Sequence, residues 1–410
     1  MESVSFNNLE CIANNATNLA DCYNSTMQIK EKLSVTSAGI IAEMNKHQLE
    51  ILAPSLGLVI MMFILGVPGN LIAVLVYLLK MKRSTAGYFI ITLAISDLIN
   101  SVFSLPIEIF LIVNFWSFDI AWLCKLSRFL TAAMNNTSSF ILVAIAFERF
   151  RSICLPLRPR ISKKCAQWTC IIVSSTAVCS AIPMVFGYGT FTYKVTFGNT
   201  VALAKTCLID DSVLNTSYPT VLLIYFFIGH ILVFLILTIL YIFIARKLFN
   251  NASFYTDKKC LNPGISKVRS SSSGSSLSNV NDKATTTTST RREIELSKSK
   301  QTLLRSISSQ SNLELQTTRK HGGQAYRTKR LTCMLFLVTS VFEISFIPYL
   351  VIVSIRSQHP DYYTSLSTPG KMTYQLLLRS YFINCAANPV IYCFYNQNFR
   401  HGVKRLFRLV

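Results

Sequence analysis

The chain has 410 residues, 51% of them hydrophobic and only 14% charged, and its apolar residues fall in long runs. That composition excludes an ordinary soluble domain and points to a membrane protein. The formal charge of +21 raises the question of a nucleic-acid partner, but most of the Lys and Arg lie between or after the apolar runs, so the charge sets topology and meets anionic lipid instead.

Crossing a hydrocarbon core about 30 Å thick takes about 20 apolar residues. Seven runs qualify in chain order: residues 54–79, 87–113, 122–150, 166–188, 218–248, 328–355 and 372–395. Interior prolines at Pro68, Pro106, Pro183, Pro348 and Pro389 predict kinks that neighbouring helices can satisfy. The predicted fold is an all-α membrane protein, a seven-transmembrane helix bundle with an extracellular N-terminus and a cytoplasmic C-terminus.

Residues 1–53 read as a polar extracellular segment without a cleavable signal, so the first span must insert itself. Asn15, Asn24 and Asn215 stand in Asn-x-Ser/Thr triplets on the expected outer side and are the glycosylation candidates. Inner segments carry Lys80, Lys82, Arg83, Arg158, Arg160, Lys163 and Lys164. Residues 249–327 form a long insertion between spans five and six, dominated by Ser and Thr (Ser270, Ser271, Thr285, Thr286), with few aromatics. Such a stretch predicts disorder, and its basic patches beside hydroxyls suit phosphorylation. Residues 396–410 place Phe399, Val403, Leu406 and Phe407 on one helical face and basic residues on the other, a short amphipathic eighth helix lying on the membrane.

Of twelve cysteines, most lie in spans or on the reducing side, and Cys124 with Cys207 is the expected disulfide; Cys11 and Cys22 remain a second, local option. Between Phe191 and Leu203, β-branched and aromatic residues flank Gly198-Asn199, which predicts a β-hairpin.

Polar residues at membrane depth are expensive and seldom incidental. In order, the chain has Gly69-Asn70, then Leu93-Ala94-Ile95-Ser96-Asp97, then Glu148-Arg149-Phe150, then Trp168, then Phe342 with Pro348, and finally Asn388-Pro389-Val390-Ile391-Tyr392. This ordered set resembles the rhodopsin-like G-protein-coupled receptors across all seven spans. The resemblance implies a plasma-membrane receptor, not an enzyme, that drives guanine-nucleotide exchange on a heterotrimeric G protein. It implies that Arg149, held by Glu148, meets the G protein, with Tyr241 and Tyr392 closing beside it. It also implies that Asn70, Asp97, Ser138, Asn384 and Asn388 form a polar network able to hold an allosteric sodium ion at Asp97. No other cofactor or metal is expected. Phe342, Phe346 and Pro348 take the transmission positions, although Phe346 replaces the usual Trp and Val233 the usual Pro. Phe150 replaces Tyr, and Thr328 stands where some relatives carry an acid that would bridge to the arginine.

Thr131 occupies the position where amine receptors carry Asp, and Phe382 the position of the retinal-binding Lys. An amine ligand is therefore disfavoured and a Schiff base is excluded. In this family the hairpin is typical of peptide receptors, so the expected ligand is a neuropeptide or peptide hormone, with Glu108, Arg128, Thr131 and Arg379 as candidate contacts. Receptor kinases and arrestin are the expected partners of the Ser/Thr-rich insertion. A receptor for a small non-amine ligand and a non-signalling scavenger receptor stay open as alternatives. A transporter is more remote, because no internal repeat relates early and late spans.

Overall fold

The computed structural model describes residues 19–81, 84–159, 161–197, 200–261, 330–359 and 362–408; for residues 19–36, 196–197, 200 and 249–261 it describes the backbone alone. Asn15, Cys11, Lys82, Arg83, Arg160, Gly198, Asn199, Thr328 and the stretch 262–329 lie outside the described residues, as do the side chains of Cys22 and Asn24.

Among the described residues, six helices are long and apolar enough to cross a membrane. The seventh crossing is a broken rod: helix Thr368–Leu378, a 3-10 turn over Ser380–Phe382, then helix Ile383–Tyr395. Its break coincides with Arg379 and Ser380, whose side chains turn to other spans. The bundle has an apolar core, but its outer surface is apolar too. Leu232, Leu235, Ile239, Ile171 and Ile172 are exposed on its outside, while Asn70, Asp97, Asn100, Ser138, Asn384 and Asn388 are buried within. Lipid solvates the first set, and the second must find partners inside the bundle.

The third span, Ala121–Cys154, is the most enclosed of the six continuous helices. The second bends before Pro106: helix Thr85–Ile99 passes through a π-helical turn, Asn100–Ser104, into Leu105–Val113. A one-turn π segment absorbs the backbone disruption that a proline imposes. The fourth span pauses at Ile182, where Pro183 opens a five-residue helix.

Two boundaries differ from the sequence expectation. The first helix begins at Leu19 rather than near Pro54 and continues to Leu75 and a π turn, Val76–Lys80. No Pro or Gly interrupts residues 19–38, and the outer portion is supported by packing: Ile51 and Leu52 are buried, Asn45 donates to Ser117 at 2.9 Å and accepts from the Trp116 N–H at 2.7 Å, and Gln48 donates to the Tyr363 hydroxyl at 3.2 Å. The fifth helix, Tyr218–Leu261, runs beyond residue 248 into the stretch expected to be disordered.

The hairpin forms as the residue pattern predicts. Strand β1, Tyr188–Phe197, pairs antiparallel with β2, Thr200–Ile209, from Tyr188↔Ile209 to Phe197↔Thr200. The Phe118 N–H donates to the Lys205 carbonyl at 3.0 Å and the Lys205 N–H to the Trp116 carbonyl at 2.9 Å, docking β2 on the loop between spans two and three. Cys124 is disulfide-bonded to Cys207, which fixes β2 to the end of the third span. Gly189 has to be small, since a Cβ there would lie 1.8 Å from the Asp210 carboxylate.

Candidate functional site

Three layers of polar residues lie along the bundle axis. Nearest the disulfide, Glu108 of span two accepts from Arg128 of span three at 3.3 Å and from Arg379 of span seven at 2.9 Å. Arg379 also donates to the Gln375 side-chain oxygen at 2.8 Å and to its carbonyl at 3.2 Å. Glu108 and Arg379 are only 2% and 6% exposed, so these are not surface charges. One carboxylate thus ties three spans, an arrangement stable in a low dielectric only because every charge has a partner. Thr131 is buried one turn from Arg128, and its hydroxyl has no partner. Gln375, which the sequence reading did not single out, is four residues before Arg379 and therefore on the same helical face.

Below this layer lies an aromatic one. Phe346 stacks on His230 with centroids 4.9 Å apart and contacts Phe342 at 4.8 Å and Tyr381 at 5.8 Å. The Phe at the usual Trp position therefore still links span six to spans five and seven. Ser380 adds a polar tie by donating to the Ser345 carbonyl at 2.7 Å. Val233 is buried in the same core. Glu343 sits in span six with a carboxyl oxygen that has no hydrogen-bond partner.

The second polar layer gathers the residues read as a network. Asp97 accepts from Asn388 at 2.6 Å and from Ser138 at 3.2 Å. Ser96 lies 3.1 Å from Ser138, and Asn100 donates to Asn135 at 3.4 Å and to the Cys385 sulfur at 3.1 Å. Asn70 has a separate task. Pro389 has no N–H for the carbonyl four residues earlier, and the Asn70 amide takes that place, donating to the Cys385 carbonyl at 2.6 Å and to Gly66 at 2.9 Å. Gly69 permits the approach, since a Cβ there would stand 3.0 Å from the proline ring. Asn384 is buried in span seven with neither amide atom bonded.

At the opposite end, Arg149 is 6% exposed and paired with Glu148 through two guanidinium nitrogens. Tyr241 is bonded to Thr339 at 3.1 Å, which joins spans five and six. Tyr392 is fully buried with its hydroxyl unpartnered; its ring meets Tyr77 at 6.2 Å and Phe399 at 5.9 Å. Neither tyrosine is bonded to Arg149. Asn396, which donates to the Tyr77 hydroxyl at 2.9 Å and caps Phe399, turns the chain into the amphipathic helix Gln397–Leu406. Gly402 lets that helix approach the first: a Cβ there would be 2.5 Å from Val76. Tyr77 and Asn396 carry no local sequence signal, because their pairing spans most of the chain.

Comparison with known proteins agrees with this geometry. The family described as "7 transmembrane receptor (rhodopsin family)" matches residues 69–392. The chain is 27% identical to the human (Homo sapiens) cholecystokinin receptor type A over 85% of its own length and 78% of that protein. It is 24% identical to neuropeptide FF receptor 2 of Mus musculus over 88% and 74%. A shorter match, 36% identical but covering 31% of this chain and 28% of its relative, is to the RYamide receptor of Drosophila melanogaster. The fold superposes on squid rhodopsin with a TM-score of 0.58 at 20% identity, covering 87% of this chain and 85% of that one. With that family matching residues 69–392, most of the chain, this multi-pass membrane protein belongs to the rhodopsin family of seven-transmembrane receptors.

Proposed function

We propose that the chain binds a peptide at its disulfide end, facing outside the cell, and activates a heterotrimeric G protein at the end that carries Arg149. The observation that carries this reading is the buried Arg149–Glu148 pair. An arginine at the end of a long helix, held among the described residues only by its sequence neighbour, is a charge that a partner can take over when the helices part. The Tyr241–Thr339 bond is the contact that an outward swing of span six would break. The peptide side of the proposal is supported by the hairpin, which stands over the bundle's end, and by relatives whose names denote receptors for cholecystokinin, neuropeptide FF and RYamide.

Asp97, Ser138 and Asn384 offer a carboxylate, a hydroxyl and an unbonded amide oxygen, an oxygen-only donor set that fits a small hard cation such as sodium. Asp97 retains acceptor capacity beyond its bonds to Ser138 and Asn388. When bound, the ion would supply positive charge against Asp97; Asn388 and Ser138 orient that carboxylate. Receptor kinases and arrestin would act on the Ser/Thr-rich stretch within 249–327.

A cell-based screen tests the whole reading. Cells expressing the receptor are challenged with a panel of neuropeptides while calcium and cyclic AMP are read, with Arg149→Ala as the control. Peptide responses that vanish in the variant at equal surface expression are expected. Responses unchanged in Arg149→Ala would remove the proposed mechanism.

A further inference from the structure

The ion cluster at the disulfide end is unbalanced: two guanidinium groups share the single carboxylate of Glu108. The two arginines are not equivalent. Arg379 is nearly closed off, and it donates twice more, to Gln375. Arg128 keeps 22% of its side chain exposed and makes one side-chain hydrogen bond among the described residues, to Glu108, although a guanidinium offers five donors. Its surroundings are aromatic rather than acidic. The guanidinium carbon stands 6.0 Å from the centre of the Tyr188 ring, and Tyr349 and Tyr381, themselves 5.0 Å apart edge to face, lie within electrostatic reach. Among the described residues, Glu108 is the one carboxylate within salt-bridge distance of Arg128. Thr131, one helical turn along, adds a buried hydroxyl without a partner.

Resting on the peptide-receptor reading, we infer that this mouth selects a peptide bearing a carboxylate, which Arg128 grips while the Thr131 hydroxyl donates beside it. A partly exposed guanidinium with donors to spare is completed by an anion, and the fork geometry of arginine suits a carboxylate. The same charge count rejects a cation. Both Glu108 oxygens are already held, so an ammonium or guanidinium on the ligand would have to displace one arginine and face the other. Tyr188, Tyr349 and Tyr381 provide the apolar walls that make such a contact strong. The carboxylate comes either from an acidic side chain or from a free C-terminus, and the test separates the two.

The full-length receptor in lipid nanodiscs is melted in the presence of four probes: N-acetylated tetrapeptides with a free C-terminal carboxylate, amidated tetrapeptides containing Glu, the same peptides with Gln for Glu, and glutarate. At least one carboxylate-bearing peptide set is expected to raise the melting temperature at concentrations about tenfold below the neutral set, 1.4 kcal/mol in free energy. Arg128→Gln should erase that difference and Arg128→Lys retain part of it. Whichever set stabilises identifies the source of the carboxylate. Equal effects of charged and neutral sets, no effect of any probe, or a difference that survives in Arg128→Gln would overturn the inference. The wild-type comparison stands even if Arg128→Gln fails to fold. Stabilisation by glutarate with no effect of any peptide would leave the anion site standing while counting against the peptide reading.

Discussion

Replacing Asn70 by Ala should destabilise the receptor through one identifiable atom, the Cys385 carbonyl. Pro389 removes the backbone donor which that carbonyl would otherwise meet, and the Asn70 amide replaces it at 2.6 Å. Hydrogen bonds between membrane helices average about 0.6 kcal/mol and reach about 1.7, because a released group usually finds another partner. Here the proline takes away the intrahelical alternative, and leaving a buried acceptor bare costs about 1–3 kcal/mol. The expected loss is therefore at the upper end for such a bond, about 1.5–2 kcal/mol. A double-mutant cycle isolates it. Pro389→Ala restores an N–H for Cys385, so Asn70→Ala should cost clearly less in that background, with a coupling of about 1 kcal/mol. Thermal melting of the four receptors in nanodiscs gives the comparison. If Asn70→Ala lowers the melting temperature by the same amount with and without Pro389, the carbonyl is not what Asn70 serves.

Glu108→Gln should cost about 3–5 kcal/mol, since it leaves the buried Arg379 and the partly exposed Arg128 without a counter-charge; surface staining should fall steeply, and normal expression would refute a structural role for the cluster. The melting temperature of the wild type should be higher in sodium chloride than in choline chloride, and Asp97→Asn should abolish the difference. A sodium response that persists in Asp97→Asn would place the ion elsewhere. Gly402→Ala puts a methyl 2.5 Å from Val76 and should force the amphipathic helix away from the first helix, costing about 1–3 kcal/mol. Melting indistinguishable from wild type would mean that the helix is not held by this contact.

The spans and the motif positions are legible in sequence because each is a local signal: an apolar run of membrane length, or a polar residue where one is costly. The hairpin is legible for the same reason, since β-branched and aromatic residues flank the Gly198-Asn199 signal within a few residues. What escapes is pairing over long separations. Glu108, Arg128 and Arg379 read as separate candidate ligand contacts until the fold brings the two arginines onto the one carboxylate. Asn70 reads as one more network member until Pro389 is seen to free the carbonyl that it serves. Helix limits are misjudged where hydropathy stops but packing continues, as between Leu19 and Pro54, where Asn45 and Gln48 anchor a polar helix to neighbouring loops. The seventh span is found as one run, and what escapes is its break at Ser380–Phe382, where the polar face is spent on Glu108, Ser345 and Asp97.

The central claim is that a signal received at the disulfide end leaves through Arg149. Nucleotide exchange on a purified heterotrimeric G protein tests it most directly, with the receptor in nanodiscs and an activating peptide added. Wild type should accelerate exchange above the rate of the G protein alone. Arg149→Gln should not, while its melting temperature and peptide binding stay near those of wild type. Equal acceleration by the two receptors would contradict the account.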